Sequence, residues 1–238
     1  MRGRATTGRR ERLRAETTAE IKKAALELMA SGGPDAITLR AIAREMGMTA
    51  NAIYGYFATR DDLVTTLIYE VCTALADTLD AAWEATPADD PATRIRAWAS
   101  AFRNWSLGNP QGFRLIFGDP VPGYHAPDGG PAPDAIRRIC TGLTALAAAA
   151  WPHAAHLYEG SKFDWSDFDP GLLEDVRPAF PELPPAGVAL ALRIRGHLHG
   201  FVSLEVYGHM RTMTLTPDKL FQEELTQLLH ALALTPQN

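Results

Sequence analysis

A chain of 238 residues, 46% apolar and 21% charged, is long enough for a sizeable core and for one large or two small domains. Two distant cysteines, Cys72 and Cys140, exclude a disulfide framework and a cysteine metal site, which points to a reduced, cytoplasmic home. No apolar run reaches the roughly 18 residues of a membrane span, and the net charge of −5 hides an asymmetry. Residues 1–60 carry 11 Lys/Arg against 6 Asp/Glu, a balance of +5, and the remainder balances at −10. Such a split marks an anion-binding end, for which nucleic acid is the usual partner.

In chain order, residues 1–16 form a basic N-terminal arm holding Arg2, Arg4, Arg9, Arg10, Arg12 and Arg14. It reads equally as a solvated tail or as a DNA-binding arm. The stretch after it, "TTAEIKKAALEL", is too charged for the apolar region of a secretory signal. Ile21, Ala24, Ala25 and Leu28 follow i, i+3, i+4, i+7 spacing, and Thr17 with Glu20 makes a capping box ahead of them. The spacing predicts a helix over 17–31, stopped by "SGGPD". Short helices follow at 38–46 and 50–57, joined by a tight turn at Gly47, and a long one at 60–85.

Further helices are expected at 91–107, 110–117, 133–151, 170–178, 185–210 and 217–234. Asp90-Pro91, Asn109-Pro110, Asp169-Pro170 and Thr216-Pro217 each place a cap residue before a proline at the first helical position. Strand signals are nearly absent, so the fold class is all-α. Two stretches, 118–133 and 159–170, hold too many prolines, glycines or other turn residues for regular structure. The first is either a flap over a pocket mouth or a mobile surface connection.

The stretch 38–57 has helix-turn-helix spacing. Ile37, Leu39, Ile42 and Met46 supply one apolar face, and Met48, Ile53 and Phe57 another. Thr49, Ala50, Asn51, Tyr54 and Gly55 are left facing outward. Asn51 suits an adenine edge and Ala50 a thymine methyl, while the Thr49 and Tyr54 hydroxyls suit phosphate oxygens.

These residues resemble the DNA-binding domain of TetR-type (tetracycline-repressor-like) transcriptional regulators over residues 17–70. Thr38, Ile42, Ala43, Gly47, Thr49, Ile53, Tyr54, Tyr56, Phe57, Arg60 and Leu63 match the family pattern in type and spacing. Asn51 stands where the family often has Gly or Ala, and Arg60 where Lys is usual. The resemblance implies that Thr38, Thr49, Tyr54 and Arg60 touch phosphates and that Arg40, Ala50 and Asn51 face bases. It divides the chain into the arm (1–16), a DNA-binding domain (17–74) and an effector-binding and dimerisation domain (75–238).

Beyond residue 75 long apolar helices predominate. The helix at 217–234 carries Phe221, Leu225, Leu228, Leu229 and Leu232 on one stripe. The helix at 185–210 is apolar almost all round and needs cover on more than one side. Gly196, Gly200, Ser203 and Gly208 permit close helix approach. The family resemblance implies a homodimer through these two helices, and an effector pocket among the middle ones. The runs "LIFGDPVPGY" (115–124) and "GHLHGFVSLEVYGHM" (196–210) resemble a subgroup recognised by a Trp-His-Gly motif. His199-Gly200 are in place, and the tryptophan is missing.

Expected pocket residues are Trp98, Phe102, Trp105, Phe113, Phe117, Tyr124, Cys140, Leu143, His197 and Phe201. An aromatic stripe such as Trp98, Phe102 and Trp105 is more often plain core than a ligand cage. Arg103 and Arg114 are candidates to receive an acidic group on a ligand, or to form salt bridges. No metal or catalytic site is expected: His197 and His199 diverge on a helix, and Glu205 with His209, or His153 with His156, lacks a third ligand. Nucleophile elbow, P-loop and dinucleotide fingerprint are missing, so no cofactor is expected and the chain reads as a regulator rather than an enzyme. The partners implied are a double-stranded DNA operator, a second copy of the chain and a small-molecule effector, with no membrane. The implied function is a ligand-responsive repressor. Alternatives are a ligand-independent activator or repressor, or an all-α small-molecule binding or catalytic protein that does not act on DNA.

Overall fold

The computed structural model describes residues 3–234, with side chains from residue 8. The described residues form helices and turns, with no strand among them. The first helix, α1 (Gly3–Gly32), begins well before the expected start at 17. Thr17 does not cap it: its hydroxyl donates to the Leu13 carbonyl one turn back at 3.0 Å, and Thr18 does the same to Arg14 at 2.8 Å. No breaker lies between Gly8 and Thr17, so the helix runs through the basic arm. Gly33, at φ 75°, ends it, and its N–H bonds the Met29 carbonyl at 2.8 Å.

After a 3-10 turn at Pro34–Ala36 come α2 (Leu39–Glu45), α3 (Ala50–Tyr54) and α4 (Arg60–Glu84). Then follow α5 (Pro91–Gly108), α6 (Pro110–Phe117), α7 (Pro133–Ala154), α8 (Pro170–Ala179), α9 (Pro185–Val206) and α10 (Pro217–Ala231). All four cap-proline pairs mark true helix starts. Two work through the side chain: Asp90 accepts from the Thr93 N–H at 2.9 Å, and Asp169 from the Gly171 N–H at 2.8 Å. Asn109 and Thr216 make no side-chain cap bond, so proline's fixed φ starts those helices. Helix α9 stops four residues earlier than expected, because Gly208 turns left-handed at φ 80° and a 3-10 turn follows.

The chain forms two compact units. The first holds the chain up to Cys72 together with Asn109–Pro133; the second holds Thr73–Gly108 and the chain from Asp134. The segment Asn109–Pro133, which the sequence reading assigns to the C-terminal region, therefore packs with the N-terminal unit. The core of that unit joins Ile21, Ala25 and Met29 of α1 with Ile37, Leu39, Ile42, Ile53, Phe57, Leu63 and Leu67. Leu115 and Val121 enter the same cluster. The loop after α6 is pinned to α4: the Tyr124 and Thr65 hydroxyls lie 2.9 Å apart, and the His125 N–H donates to Asp61 at 3.2 Å.

In the second unit α5, α9 and α10 pack together. The apolar stripe Phe221, Leu225, Leu228, Leu229 and Leu232 is buried as expected, and Phe221 meets Phe201 of α9 at 5.4 Å between ring centroids. Arg103 of α5 is 6% exposed and is held by two carboxylates. Its Nε and Nη2 donate to Glu205 at 2.6 and 2.7 Å, and Nη2 also reaches Asp218 at 2.6 Å. A fork of this kind satisfies a buried guanidinium geometrically as well as electrostatically. Glu205 is thereby committed to Arg103 rather than to a metal shared with His209. Among the described residues no cluster of three His, Cys, Asp or Glu is placed to hold a metal ion.

Candidate nucleic-acid interface

The interface is built from α2, the turn after it, and α3. Thr38 caps α2, its hydroxyl oxygen accepting the Ala41 N–H at 3.1 Å; Thr49 caps α3, accepting from Ala52 at 3.2 Å. Because each hydroxyl oxygen accepts from the backbone, its proton remains available to a phosphate oxygen outside. Between the helices Gly47 takes φ 64°, and the Met48 N–H returns to the Ala43 carbonyl at 2.8 Å, which closes the turn. Ile42, Ala43 and Ile53 are buried, so both helices are seated by their inner faces.

The outer face carries what is left. Thr38, Arg40, Thr49, Asn51 and Tyr54 are exposed, Tyr54 at 49%, and Ala50 is half-buried. A five-residue helix with one fully buried side chain presents Ala50, Asn51 and Tyr54 outward at i, i+1 and i+4, together with its uncapped N–H groups. That surface combines an amide for base edges with hydroxyls for phosphates.

Arg60 stands apart from the other expected contacts. It is half-buried and donates inward to the main-chain carbonyls of Ile37, Pro122 (2.8 Å) and Pro34 (3.4 Å). Its guanidinium braces the turn before α2 and the loop after α6. Sequence reasoning did not find this role, since Pro122 lies 62 positions away.

The expected ligand-lining residues are scattered. Phe113, Phe117 and Tyr124 belong to the first unit, where Phe113 is fully buried and meets Phe117 at 5.0 Å. His197 is exposed, with Nε2 3.2 Å from Glu224 of α10. Phe102 stacks on Trp98 at 5.9 Å, and Leu143 is buried. Trp105 and Cys140 are half-buried on α5 and α7. The second unit does hold a cleft of about 470 Å³, walled by Asp80 and Trp83 of α4, Trp98 of α5, Arg138 and Gly142 of α7, and Asp175 of α8. Of the expected set only Trp98 reaches it. Arg138 lies across its edge, bonded to Asp77 and Asp80 at 2.7 and 2.8 Å. The Arg94 guanidinium sits 4.3 Å over the Trp83 ring. The loop 118–133 belongs to the first unit, where Val121 enters the core and Tyr124 and His125 bond to α4.

A capped helix-turn-helix on an all-α scaffold defines a DNA-binding regulator of transcription. Residues 21–67 match the family model described as bacterial regulatory proteins of the tetR family, and residues 95–228 match the tetracyclin repressor-like C-terminal domain. The chain is 32% identical over 226 residues to the HTH-type transcriptional regulators Rv1816 of Mycobacterium tuberculosis and Mb1846 of Mycobacterium bovis, covering 94% of itself and 95% of each. Among solved structures it is similar to the regulatory protein SCO4313, at 34% identity and a TM-score of 0.68, over 92% of this chain and 98% of that one. A tetR-family protein of Rhodococcus RHA1 shares the fold at 20% identity and a TM-score of 0.60, over the same shares of the two chains. The chain belongs to the TetR family of transcriptional regulators. Its relatives regulate transcription and are not enzymes.

Proposed function

We propose that the chain is a homodimeric, cytoplasmic repressor that a small molecule releases from a palindromic operator. The observation that carries the reading is the outer face of α2 and α3. Two capping threonines, Asn51 and Tyr54 are all exposed on α2 and α3. Asn51 and Ala50 read bases there, with Arg40 beside them. Thr38, Thr49 and Tyr54 hold phosphates, and Arg60 keeps the turn before α2 in place. One such helix reads only a half-site, so two copies place two readers about one helical turn (roughly 34–36 Å) apart.

The dimer reading rests on α9. Its inner side buries Ile194, Leu198 and Val202, while Leu192, Gly196, Gly200, Leu204 and Tyr207 line an exposed side. A Cβ added at Gly196 or Gly200 meets nothing within 4 Å among the described residues. Glycine there costs up to about 1 kcal/mol of helix propensity per position without any packing need inside the protomer. A second copy of α9 at close range supplies the need.

The effector reading rests on the cleft beside Trp83 and Trp98, of a size that suits a small molecule. The effector shifts the protein between conformers only by its differential affinity for them. The test is a mobility shift on the DNA upstream of the protein's own gene, with Asn51→Ala and Tyr54→Ala beside the unaltered chain. A palindromic site bound better than random duplex, and lost in both variants, is the expected result. Equal affinity for all duplexes at physiological salt defeats the reading.

A further inference from the structure

The first turns of α1 remain unexplained by the helix-turn-helix. Residues 8–16 are exposed on every side, Leu13 at 53%. Arg9, Arg10, Leu13, Arg14 and Thr17 fall at i, i+1, i+4, i+5 and i+8, so they share one side. With Tyr56 they line a groove of about 500 Å³.

Arg14 ties that groove to the reader. Its Nη2 donates to the Gly55 carbonyl at 2.7 Å, and its guanidinium lies 4.8 Å from the centre of the Tyr56 ring. Gly55 and Tyr56 directly follow α3, so the groove opens where the recognition helix ends. Arg9 and Arg10 form no ion pair among the described residues, and no carboxylate lines the groove. A cleft with an aromatic floor, cationic walls and no carboxylate fits a polyanion.

We propose that this groove grips the sugar-phosphate backbone of DNA just beyond the bases that α3 reads, with Arg9 and Arg10 on phosphates and Arg14 fixing the angle of α1. The proposal rests on the DNA-reading function, and it adds a sequence-independent clamp to it. Each phosphate neutralised contributes about 0.9 to the salt slope of log affinity. Arg9 and Arg10 therefore supply a slope of about 2 per protomer, and roughly 10–30-fold in affinity at 0.15 M salt.

The experiment measures binding of the full chain to a random-sequence 30-base-pair duplex by fluorescence anisotropy, across a salt series. Arg9→Gln/Arg10→Gln is compared with the unaltered chain and with Arg211→Gln/Lys219→Gln, two exposed cations of the other unit. The first variant loses about 2 per protomer from the slope with an unchanged melting temperature, while the second keeps its slope. An unchanged slope in the first variant, or an equal loss in both, overturns the clamp. Asn51→Ala separates this from operator reading, because it abolishes preference among duplexes and leaves the slope intact. If the unaltered chain has no preferred duplex and Arg9→Gln/Arg10→Gln still loses slope, the operator reading fails and the clamp stands.

Discussion

The two open glycines of α9 give a test whose sign, and not only its size, depends on the dimer. In a lone protomer Gly196→Ala and Gly200→Ala add methyl groups into open space. Alanine outranks glycine in a helix interior by about 0.8–1.0 kcal/mol per position. The double variant of a monomer is thus more stable by nearly 2 kcal/mol. In a dimer with two α9 helices in close contact the same methyls enter an interface. Overpacking there costs typically 1–3 kcal/mol per site, and two-fold symmetry makes each substitution act twice. The propensity gain is common to free and paired protomers, so the overpacking alone sets the association, weakening it by several kcal/mol per dimer, a shift of at least about a hundredfold in the dimer dissociation constant. Sedimentation equilibrium reads association directly, and chemical denaturation at two protein concentrations separates it from protomer stability. A double variant that stays in the same assembly state and gains stability would refute the reasoning, since the glycines would then face only solvent.

Gly47→Ala, at φ 64° with nothing within 4 Å of the new Cβ, costs about 1 kcal/mol through the backbone alone. Gly47→Asn costs less in the same denaturation experiment, and equal losses would contradict the left-handed turn. Glu205→Ala strands the buried Arg103 with Asp218 as its one remaining acid and destabilises the chain by roughly 3 kcal/mol. Asp218→Asn, at an exposed carboxylate, costs under about 1 kcal/mol, and urea melts showing the reverse order would sink this account. Burial, and then the charge of Arg195, lower the pKa of His199 below its ordinary 6.5. The unfolded chain therefore binds the proton first, so stability is full above that value and falls as pH drops through it. His199→Gln removes this component, and identical pH–stability profiles for the two proteins would rule it out.

Much of the reader was legible before the structure. Gly47 sits between two apolar periodic runs, so local chemistry alone placed the turn, while the capping bonds of Thr38 and Thr49 are findings of the structure. The cap-proline pairs fixed four helix starts for the same reason: a side-chain acceptor or a proline φ acts on its own neighbours. Thr17 misled because a threonine ahead of an apolar run either caps a helix or back-bonds inside one. The helix forming through the arginines before it decided which.

The sequence by itself determined the order of the helices and most of their bounds, the apolar stripe of α10, and the outward set on α3. These depend on contacts within one or two turns, where spacing of 3.6 residues is a sufficient guide. Only the tertiary structure decided that Asn109–Pro133 packs with the N-terminal unit, that Arg60 turns inward to Pro122, and that Arg103 meets Glu205 and Asp218. It also placed Trp98, alone of the expected pocket residues, on the cleft lined by Trp83, Arg138, Gly142 and Asp175. Those partners lie tens to more than a hundred positions apart, and which apolar or charged face meets which is settled by packing of whole helices. Residue type says only that a face must be covered; the fold says by what.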